Sequence, residues 1–372
     1  MPNVHSLLFS TSSRGANAPW YCGSMTPDNQ PEEGLDCDDR EFAELLEKST
    51  LPSDVGIHVD GRYQSEEEGR RVLQTTLGFL RYFGAFLNLE GLEAITIADD
   101  YAGAAANVER GFETFQALTP TNDEFGTGLA MAVPVIRAGC LKTHIVLDSR
   151  IPRALLNPDC GIYQEAIYTL AHEAAHAHDH QIESRAFPGL YGTRIPDYRD
   201  GRLFTLAHIC WNEYIACRLS AAWGTETYCN DNSDTLCEML SSARRRGDAC
   251  FDRYAGPTEI QKTENELIEV YGTLLVRTSY LVGHVHGLDA TVAEKAPAFH
   301  SLVNKTPWFK VVFERYEESV RGLYQGYADS WHDIQVFEPL KQTFEALLNA
   351  GGMFYVCLPT GNYFVGLRRP ID

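Results

Sequence analysis

The chain has 372 residues, of which 44% are hydrophobic and 22% are charged, so it can bury a full core without help from disulfide bonds or metal ions. Its 31 lysine and arginine residues are outnumbered by 51 aspartate and glutamate residues, which gives a net charge of −20. An acidic surface repels phosphate backbones and anionic lipid headgroups, so neither nucleic acid nor a membrane surface is expected as a partner.

The predicted elements pass from helices to strands and then back to helices. An irregular N-terminal arm (1–38) is followed by helices near 39–48 and over 65–87, the second with apolar residues at spacings of three and four. Apolar runs bounded by turn residues predict strands at 92–98, 132–137 and 144–148. The last two of these strands are predicted to form a hairpin. Further helices are predicted at about 161–182, 203–222, 234–246, 258–286, 308–325 and 336–349. A terminal hairpin is predicted around 358–361. The predicted fold class is therefore α+β and mostly helical.

Composition also bears on domain organisation and compartment. We expect a main domain over 39–290 and a C-terminal part over 291–372, made of helices and the hairpin, that packs on it. The ten cysteines include no C-x-x-C pair and are too few for a disulfide scaffold, so reduced thiols are expected. The N-terminus lacks the pattern of a signal peptide, and no apolar stretch approaches the ~20 residues that cross a bilayer. These features predict a cytoplasmic protein.

The segment His172-Glu173-Ala174-Ala175-His176 carries the strongest chemical signal in the sequence. Residues four apart lie about 40° apart around a helix and one turn along it, so His172 and His176 project side by side. Their imidazole nitrogens can then bind one metal ion at ~2.0–2.1 Å. Glu173 points to a neighbouring sector, where its carboxylate can touch a metal-bound water. A histidine-rich surface helix or a structural zinc site would show the same spacing.

A third ligand is needed, because two histidines alone hold an ion weakly. Glu213 is the preferred candidate, since it lies among apolar and aromatic neighbours where a carboxylate requires a charged partner. That partner is zinc in the preferred interpretation and Arg218 in the alternative one. Asp197 and Asp179 are further candidates, although a solvated side chain at a polar helix end is the expectation for Asp179. The histidines expected to be exposed or to support the ligands are His178 and His180.

The helix motif, followed by Glu213-Tyr214-Ile215-Ala216 downstream, resembles the gluzincin branch of zinc metallopeptidases. The resemblance covers about residues 132–220. It implies a zincin-like fold, in which a small mixed sheet precedes the active-site helix and the edge strand of that sheet pairs with the substrate. In this reading 39–290 is the catalytic domain.

The resemblance also implies residue roles. His172, His176 and Glu213 would bind zinc, and Glu173 would be the general base. Two positions depart from the pattern of the branch. The 36 residues between His176 and Glu213 exceed the spacing in compact members, and Cys217 stands where an aspartate often supports the first histidine.

Members of the branch use a downstream histidine or tyrosine to stabilise the oxyanion. His284 is the preferred candidate here, because Gly283 allows a close backbone approach. Tyr214, beside the third ligand, and His286 are the other candidates. The structural alternative for His284 is a packed histidine at a helix end.

The function expected from these residues is zinc-dependent hydrolysis, with a peptide or protein as substrate. A water molecule activated by Zn²⁺ would attack the carbonyl, with Glu173 accepting its proton. One alternative is zinc hydrolysis of a non-peptide amide or ester. Another is a non-catalytic, zinc-stabilised protein that binds a partner or regulates it.

Overall fold

A computed structural model describes residues 7–9, 37–113, 118, 122–123, 126–192, 195–225, 227–254, 256–358 and 363–370. The chain divides into two compact units, 1–181 and 182–372, and the boundary falls inside one long helix. The predicted divisions after residues 38 and 290 stay predictions. No helix in the described part of the chain combines the length and apolar character that a bilayer crossing requires.

The first unit contains a five-stranded sheet, a two-stranded sheet and five helices among its described residues. Its strands are β1 (Leu7–Phe9), β2 (Gly56–Asp60), β3 (Leu92–Ala98), β4 (Asn122–Asp123), β5 (Gly126–Thr127), β6 (Ala130–Arg137) and β7 (Cys140–Asp148). Its helices are α1 (Cys37–Glu47), α2 (Glu66–Phe83), α3 (Tyr101–Ala106), α4 (Arg150–Ala154) and α5 (Tyr163–Ala186), whose last residues belong to the second unit.

The larger sheet has the strand order β1-β2-β3-β7-β6. Strands β2, β3 and β7 are parallel, whereas β1 and β6 run antiparallel to their neighbours. The predicted strands at 92–98, 132–137 and 144–148 and the hairpin of the last two are confirmed. Strand β1 lies in the arm predicted to be irregular, and the other residues of 1–36 lie outside the described residues.

Parallel pairing places the carboxyl ends of β2, β3 and β7 at the same edge of the sheet. Ile95, Ile97 and Ile145 are fully buried within these strands, as expected where both faces of a sheet are covered. Helix α3 begins three residues after β3 ends, and α4 begins two residues after β7 ends. This edge therefore carries short helices whose first residues follow the strands closely.

The second unit is helical apart from a terminal hairpin. Its helices are α6 (Tyr198–Ser220), α7 (Tyr228–Arg253), α8 (Ile260–Gly287), α9 (Val292–Lys295), α10 (Pro297–Lys305), α11 (Pro307–Gln325) and α12 (Glu338–Ala350). Its strands are β8 (Met353–Cys357) and β9 (Tyr363–Leu367), which pair antiparallel and confirm the predicted hairpin, although its turn (359–362) lies outside the described residues. The α+β, mostly helical class is confirmed.

Close packing of α6 against α8 depends on one glycine. A Cβ atom added to Gly283 would lie 2.2 Å from the carbonyl oxygen of Tyr214, so no side chain fits there. Helix α6 begins where the side chain of Asp197 accepts a hydrogen bond from the backbone N–H of Asp200 at 2.7 Å. Asp197, considered above as an outside candidate for a metal ligand, thus caps this helix.

Candidate metal centre

Helix α5, which carries the His-Glu-x-x-His motif, is enclosed around its whole circumference in the region of the motif. Four alanines are each fully buried, at Ala171, Ala174, Ala175 and Ala177. Successive residues of a helix are about 100° apart, so these positions face several directions. His172 and Glu173 are also buried. Small side chains therefore let other parts of the protein approach the helix where its polar residues lie.

The two imidazoles of the motif converge as their spacing predicts. The Nε2 atoms of His172 and His176 lie 3.0 Å apart, and their ring planes are almost perpendicular. This distance fits a hydrogen bond between opposite tautomers, and it also fits two ligands of one cation. Around a tetrahedral zinc ion, nitrogens at 2.0–2.1 Å would lie about 3.3 Å apart. A change of a few tenths of an ångström would bring the pair to that geometry.

Glu213 of α6 joins these histidines. One ligand atom from each of His172, His176 and Glu213 lies within 4.8 Å of the other two, with His172 buried and the other two half-buried. It is the one such group of three or more found among the described residues. Two imidazoles and one carboxylate make a donor set that fits a catalytic zinc ion, because three protein ligands leave a coordination position open.

The carboxylate of Glu213 is also contacted by a tyrosine of the second unit. The hydroxyl of Tyr280, on α8, hydrogen-bonds Glu213. Burial raises the pKa of Tyr280 well above its usual value, and the nearby carboxylate raises it further, so the phenol stays protonated and donates. Arg218, the alternative partner for Glu213, donates to the hydroxyl of Tyr214 at 3.2 Å and lies 3.8 Å above the ring of Tyr324.

The three candidates for the oxyanion donor, which are Tyr214, His284 and His286, all contact other side chains of the second unit. Tyr214 is fully buried, and its hydroxyl lies 3.0 Å from Nδ1 of His286. Burial, opposed by Arg218, raises the pKa of Tyr214 to about 12. His284 packs against Tyr228 with ring centroids 4.2 Å apart. Burial and, to a smaller extent, Lys295 lower the pKa of His284 to about 4.

The remaining polar residues of α5 are more buried than the sequence indicates. Asp179 has no exposed surface, so the interpretation as a solvated helix-end residue is wrong. His180 is buried and lies 2.9 Å from the hydroxyl of Thr143. His178 accepts a hydrogen bond at Nδ1 from the backbone N–H of Asn88 at 2.7 Å. These contacts support α5 within the first unit.

Sequence reasoning missed two tyrosines, Tyr280 and Tyr101. Tyr101 begins α3, and burial raises the pKa of its phenol, with further contributions from the nearby carboxylates of Glu173 and Asp148. The only local signal for Tyr101 is its place directly after the carboxyl end of a buried strand, where functional residues collect in sheets with parallel strands.

The arrangement can bind a divalent cation with two nitrogens and one oxygen. Glu173 adds a second, buried carboxylate directly beside the first ligand in the chain. The group thus combines three candidate metal ligands with a neighbouring buried carboxylate. Comparison with protein-family models, with curated proteins and with solved structures finds no match for this chain.

Proposed function

We propose that this protein is a zinc-dependent hydrolase of the gluzincin type that cleaves peptide bonds in peptide or protein substrates. The observation that carries the proposal is the convergence of His172, His176 and Glu213, whose ligand atoms lie within 4.8 Å of one another. Zinc suits nitrogen and carboxylate donors in a three-ligand set with an open position. The motif's resemblance to gluzincins supplies the reaction class.

Different residues of the protein have different roles in the proposed hydrolysis. A zinc ion, when bound, polarises a carbonyl group and makes a water molecule more acidic. Glu173 accepts a proton from the attacking water and passes it to the leaving amine, so that the elements of water are added across the C–N bond. His172, His176 and Glu213 hold the ion, and Tyr280 orients the carboxylate of Glu213.

The sheet of the first unit is consistent with this proposal. Strand β6 (Ala130–Arg137) pairs with β7, and no second described strand pairs with it. An extended peptide can add to such an edge through backbone hydrogen bonds. Part of the edge is already engaged, because the backbone N–H of Ile136 donates to the carbonyl of Arg110 at 2.7 Å. The proposal therefore assigns substrate pairing to the earlier residues of β6.

The proposal includes the partners and the compartment expected above. The net charge of −20 favours peptides over nucleic acids as ligands, since like charges repel. The compartment proposed is the cytoplasm, where cysteines stay reduced.

Metal content and hydrolysis, measured on one set of variants, test the proposal. Purified protein should hold about one zinc ion per chain by mass spectrometry, and it should cleave an internally quenched peptide library. Glu173→Gln should keep the zinc and lose at least about 10²-fold in activity, because general-base catalysis is removed. Glu165→Gln, an exposed carboxylate on the same helix, is the matched control and should behave as the wild type.

Ligand variants and chelation separate the alternatives. Glu213→Ala and His172→Ala should lower zinc content, whereas His332→Ala, an exposed histidine, should not. Chelation should abolish hydrolysis while circular dichroism shows a folded chain. A chain that melts on chelation and cleaves nothing would instead be a zinc-stabilised binding protein. Cleavage of aryl esters or simple amides without cleavage of peptides would indicate the non-peptide hydrolase.

A further inference from the structure

The second unit has a groove between α11, the start of α12 and the segment that joins them. Its volume is about 710 Å³, which falls within the range of about 300–1,000 Å³ that small-molecule sites occupy. Gly322, inside α11, lines the groove, and no atom of the described residues lies within 4 Å of a Cβ atom added there. A glycine within a helix costs about 1 kcal/mol relative to alanine, and packing does not require this one. The absence of a side chain at this position leaves the groove open.

Two buried hydroxyl groups that line the groove have already used their protons. Ser319 donates to the carbonyl oxygen of Arg315 at 2.7 Å. Thr343 donates to the carbonyl oxygen of Pro339 at 2.9 Å. The two hydroxyl oxygens lie 3.3 Å apart, and each hydroxyl has only one proton, so neither donates to the other. Because the two side chains are only 8% and 1% exposed, their lone pairs are left to accept hydrogen bonds from a donor that enters the groove.

The lining of the groove also includes one charged side chain of each sign. Arg315 and Glu318 both line it, and residues three apart on a helix are neighbours. Neither side chain has an ion pair or a hydrogen bond with another described residue. The guanidinium and the carboxylate therefore match a ligand that carries a carboxylate and an ammonium group close together.

Apolar side chains complete the lining, and the largest of them is held in place. The indole N–H of Trp331 donates to the carbonyl oxygen of Leu323 at 3.2 Å. The indole ring stacks on Phe187, with ring centroids 5.5 Å apart. A fixed aromatic surface lets an apolar group bind without first ordering the side chain that it contacts.

We propose that this groove binds a small zwitterion with an apolar side chain, such as an amino acid or a dipeptide. The ammonium group donates to the oxygens of Ser319 and Thr343 and pairs with Glu318. The carboxylate of the ligand pairs with Arg315, and its side chain packs on Trp331. The groove shares no residue with the candidate metal centre, so this proposal does not depend on the proposed hydrolysis.

Calorimetric titration of the full chain with free phenylalanine tests the class of ligand. Phenylpropionate lacks the ammonium group and phenylethylamine lacks the carboxylate. Each should bind at least about tenfold more weakly, because each loses a hydrogen bond between charged groups. Phenylalanyl-leucine, titrated into Glu173→Gln so that it is not cleaved, distinguishes the two sources of this chemistry. Tighter binding of the dipeptide would assign the groove to peptides, and tighter binding of phenylalanine would assign it to free amino acids.

Gly322→Leu tests the place of binding, and Gln325→Leu is the matched control. The new side chain at position 322 fills the groove, whereas Gln325 is exposed on the same helix and does not line it. Gly322→Leu should abolish measurable binding of phenylalanine and keep or raise the melting temperature, since leucine is a better helix former than glycine. Gln325→Leu should bind as the wild type does.

A second variant tests the hydroxyl pair. Thr343→Val keeps the shape of the side chain and removes one acceptor. It should weaken the binding of phenylalanine about tenfold and leave the binding of phenylpropionate unchanged, because only phenylalanine has an ammonium group to donate.

The outcomes separate this proposal from the hydrolase proposal. A wild type that binds neither phenylalanine nor the dipeptide would overturn the zwitterion site, as would equal losses in Gly322→Leu and Gln325→Leu. Equal affinities for phenylalanine and phenylpropionate would also overturn it. A chain that binds phenylalanine in this groove but hydrolyses nothing would keep the zwitterion site and overturn the hydrolase.

Discussion

The Nε2 atom of His208 lies 2.6 Å from Oε1 of Glu183, a carboxylate with no exposed surface near the end of α5. The other oxygen of Glu183 accepts a hydrogen bond from the hydroxyl of Tyr191 at 2.6 Å. Glu183 follows His172 by eleven residues, or about three helical turns, so the two project from nearly the same face of α5. The pair therefore joins the last turns of α5 to α6 within the second unit.

Removing the imidazole from this pair should destabilise the second unit. His208→Ala leaves a buried carboxylate with one hydrogen bond fewer, and we expect the free energy of unfolding in urea to fall by about 3 kcal/mol. Arg70→Ala, which breaks the exposed pair of Arg70 with Glu66, should cost less than about 1 kcal/mol. Equal effects of the two substitutions would contradict the structural role of His208.

Gly283 should tolerate no side chain. In Gly283→Ala the new methyl group would lie 2.2 Å from the backbone oxygen of Tyr214, the residue after Glu213, which is the proposed third metal ligand. We expect a loss of at least about 2 kcal/mol in unfolding free energy and weaker zinc binding, because α6 must move. Gly322→Ala, in α11 with no atom within 4 Å of the new Cβ, should instead stabilise the protein by about 0.5–1 kcal/mol. A neutral Gly283→Ala would show that the two helices are less tightly packed than described.

Tyr280 should affect the affinity for zinc without taking part in the reaction itself. Tyr280→Phe removes the hydrogen bond that orients Glu213, and zinc affinity measured by competition with a chelator should fall about tenfold. Tyr214→Phe, one residue beyond Glu213, is the control and should leave zinc affinity unchanged. Its kcat also tests the sequence-based role of Tyr214 as an oxyanion donor. Unchanged zinc affinity in Tyr280→Phe would contradict the orienting role.

Stability should depend on pH through His284. Burial lowers the folded-state pKa of His284 to about 4, against 6.5 in an exposed histidine, so the unfolded chain binds the proton more readily. This contribution is present in full above pH 6.5 and is lost as the pH falls towards 4, up to about 3 kcal/mol. Urea unfolding at pH 7 and pH 5 should therefore show a smaller loss for His284→Gln than for the wild type. An identical loss in both proteins would assign the pH dependence to other groups.

Local patterns predicted most of the fold, whereas pairing between distant segments was beyond them. Strands β3, β6 and β7 have long apolar runs and clear turns, and their predicted positions are confirmed. Strand β2 is only five residues long, and its parallel partner is β3, beyond the whole of α2. A parallel neighbour leaves no turn signal in the sequence, because a crossover joins the two strands. Because β2 is also short it was missed, whereas β3 is longer and β7 has the turn of its hairpin with β6.

The residues of the candidate site also differ in whether the sequence alone could identify them. His172 and His176 follow from helical spacing alone, since one turn separates them. Glu213 required a chemical argument, that a carboxylate among apolar residues needs a partner. Tyr280 and Tyr101 lie on other helices, and only the folded chain brings their phenols under the electrostatic influence of Glu213 and Glu173. No spacing rule links residues that far apart in the chain, so the sequence alone could not identify them.

The four buried alanines of α5 have a consequence for anyone who wishes to transplant this centre. Grafting only the histidines and Glu173 onto a host helix would leave larger residues where Ala171, Ala174, Ala175 and Ala177 stand, and these would hold neighbouring backbone at a distance. A workable graft must carry the small residues together with the ligands. The small side chains of the helix are therefore as necessary for the site as its donor atoms.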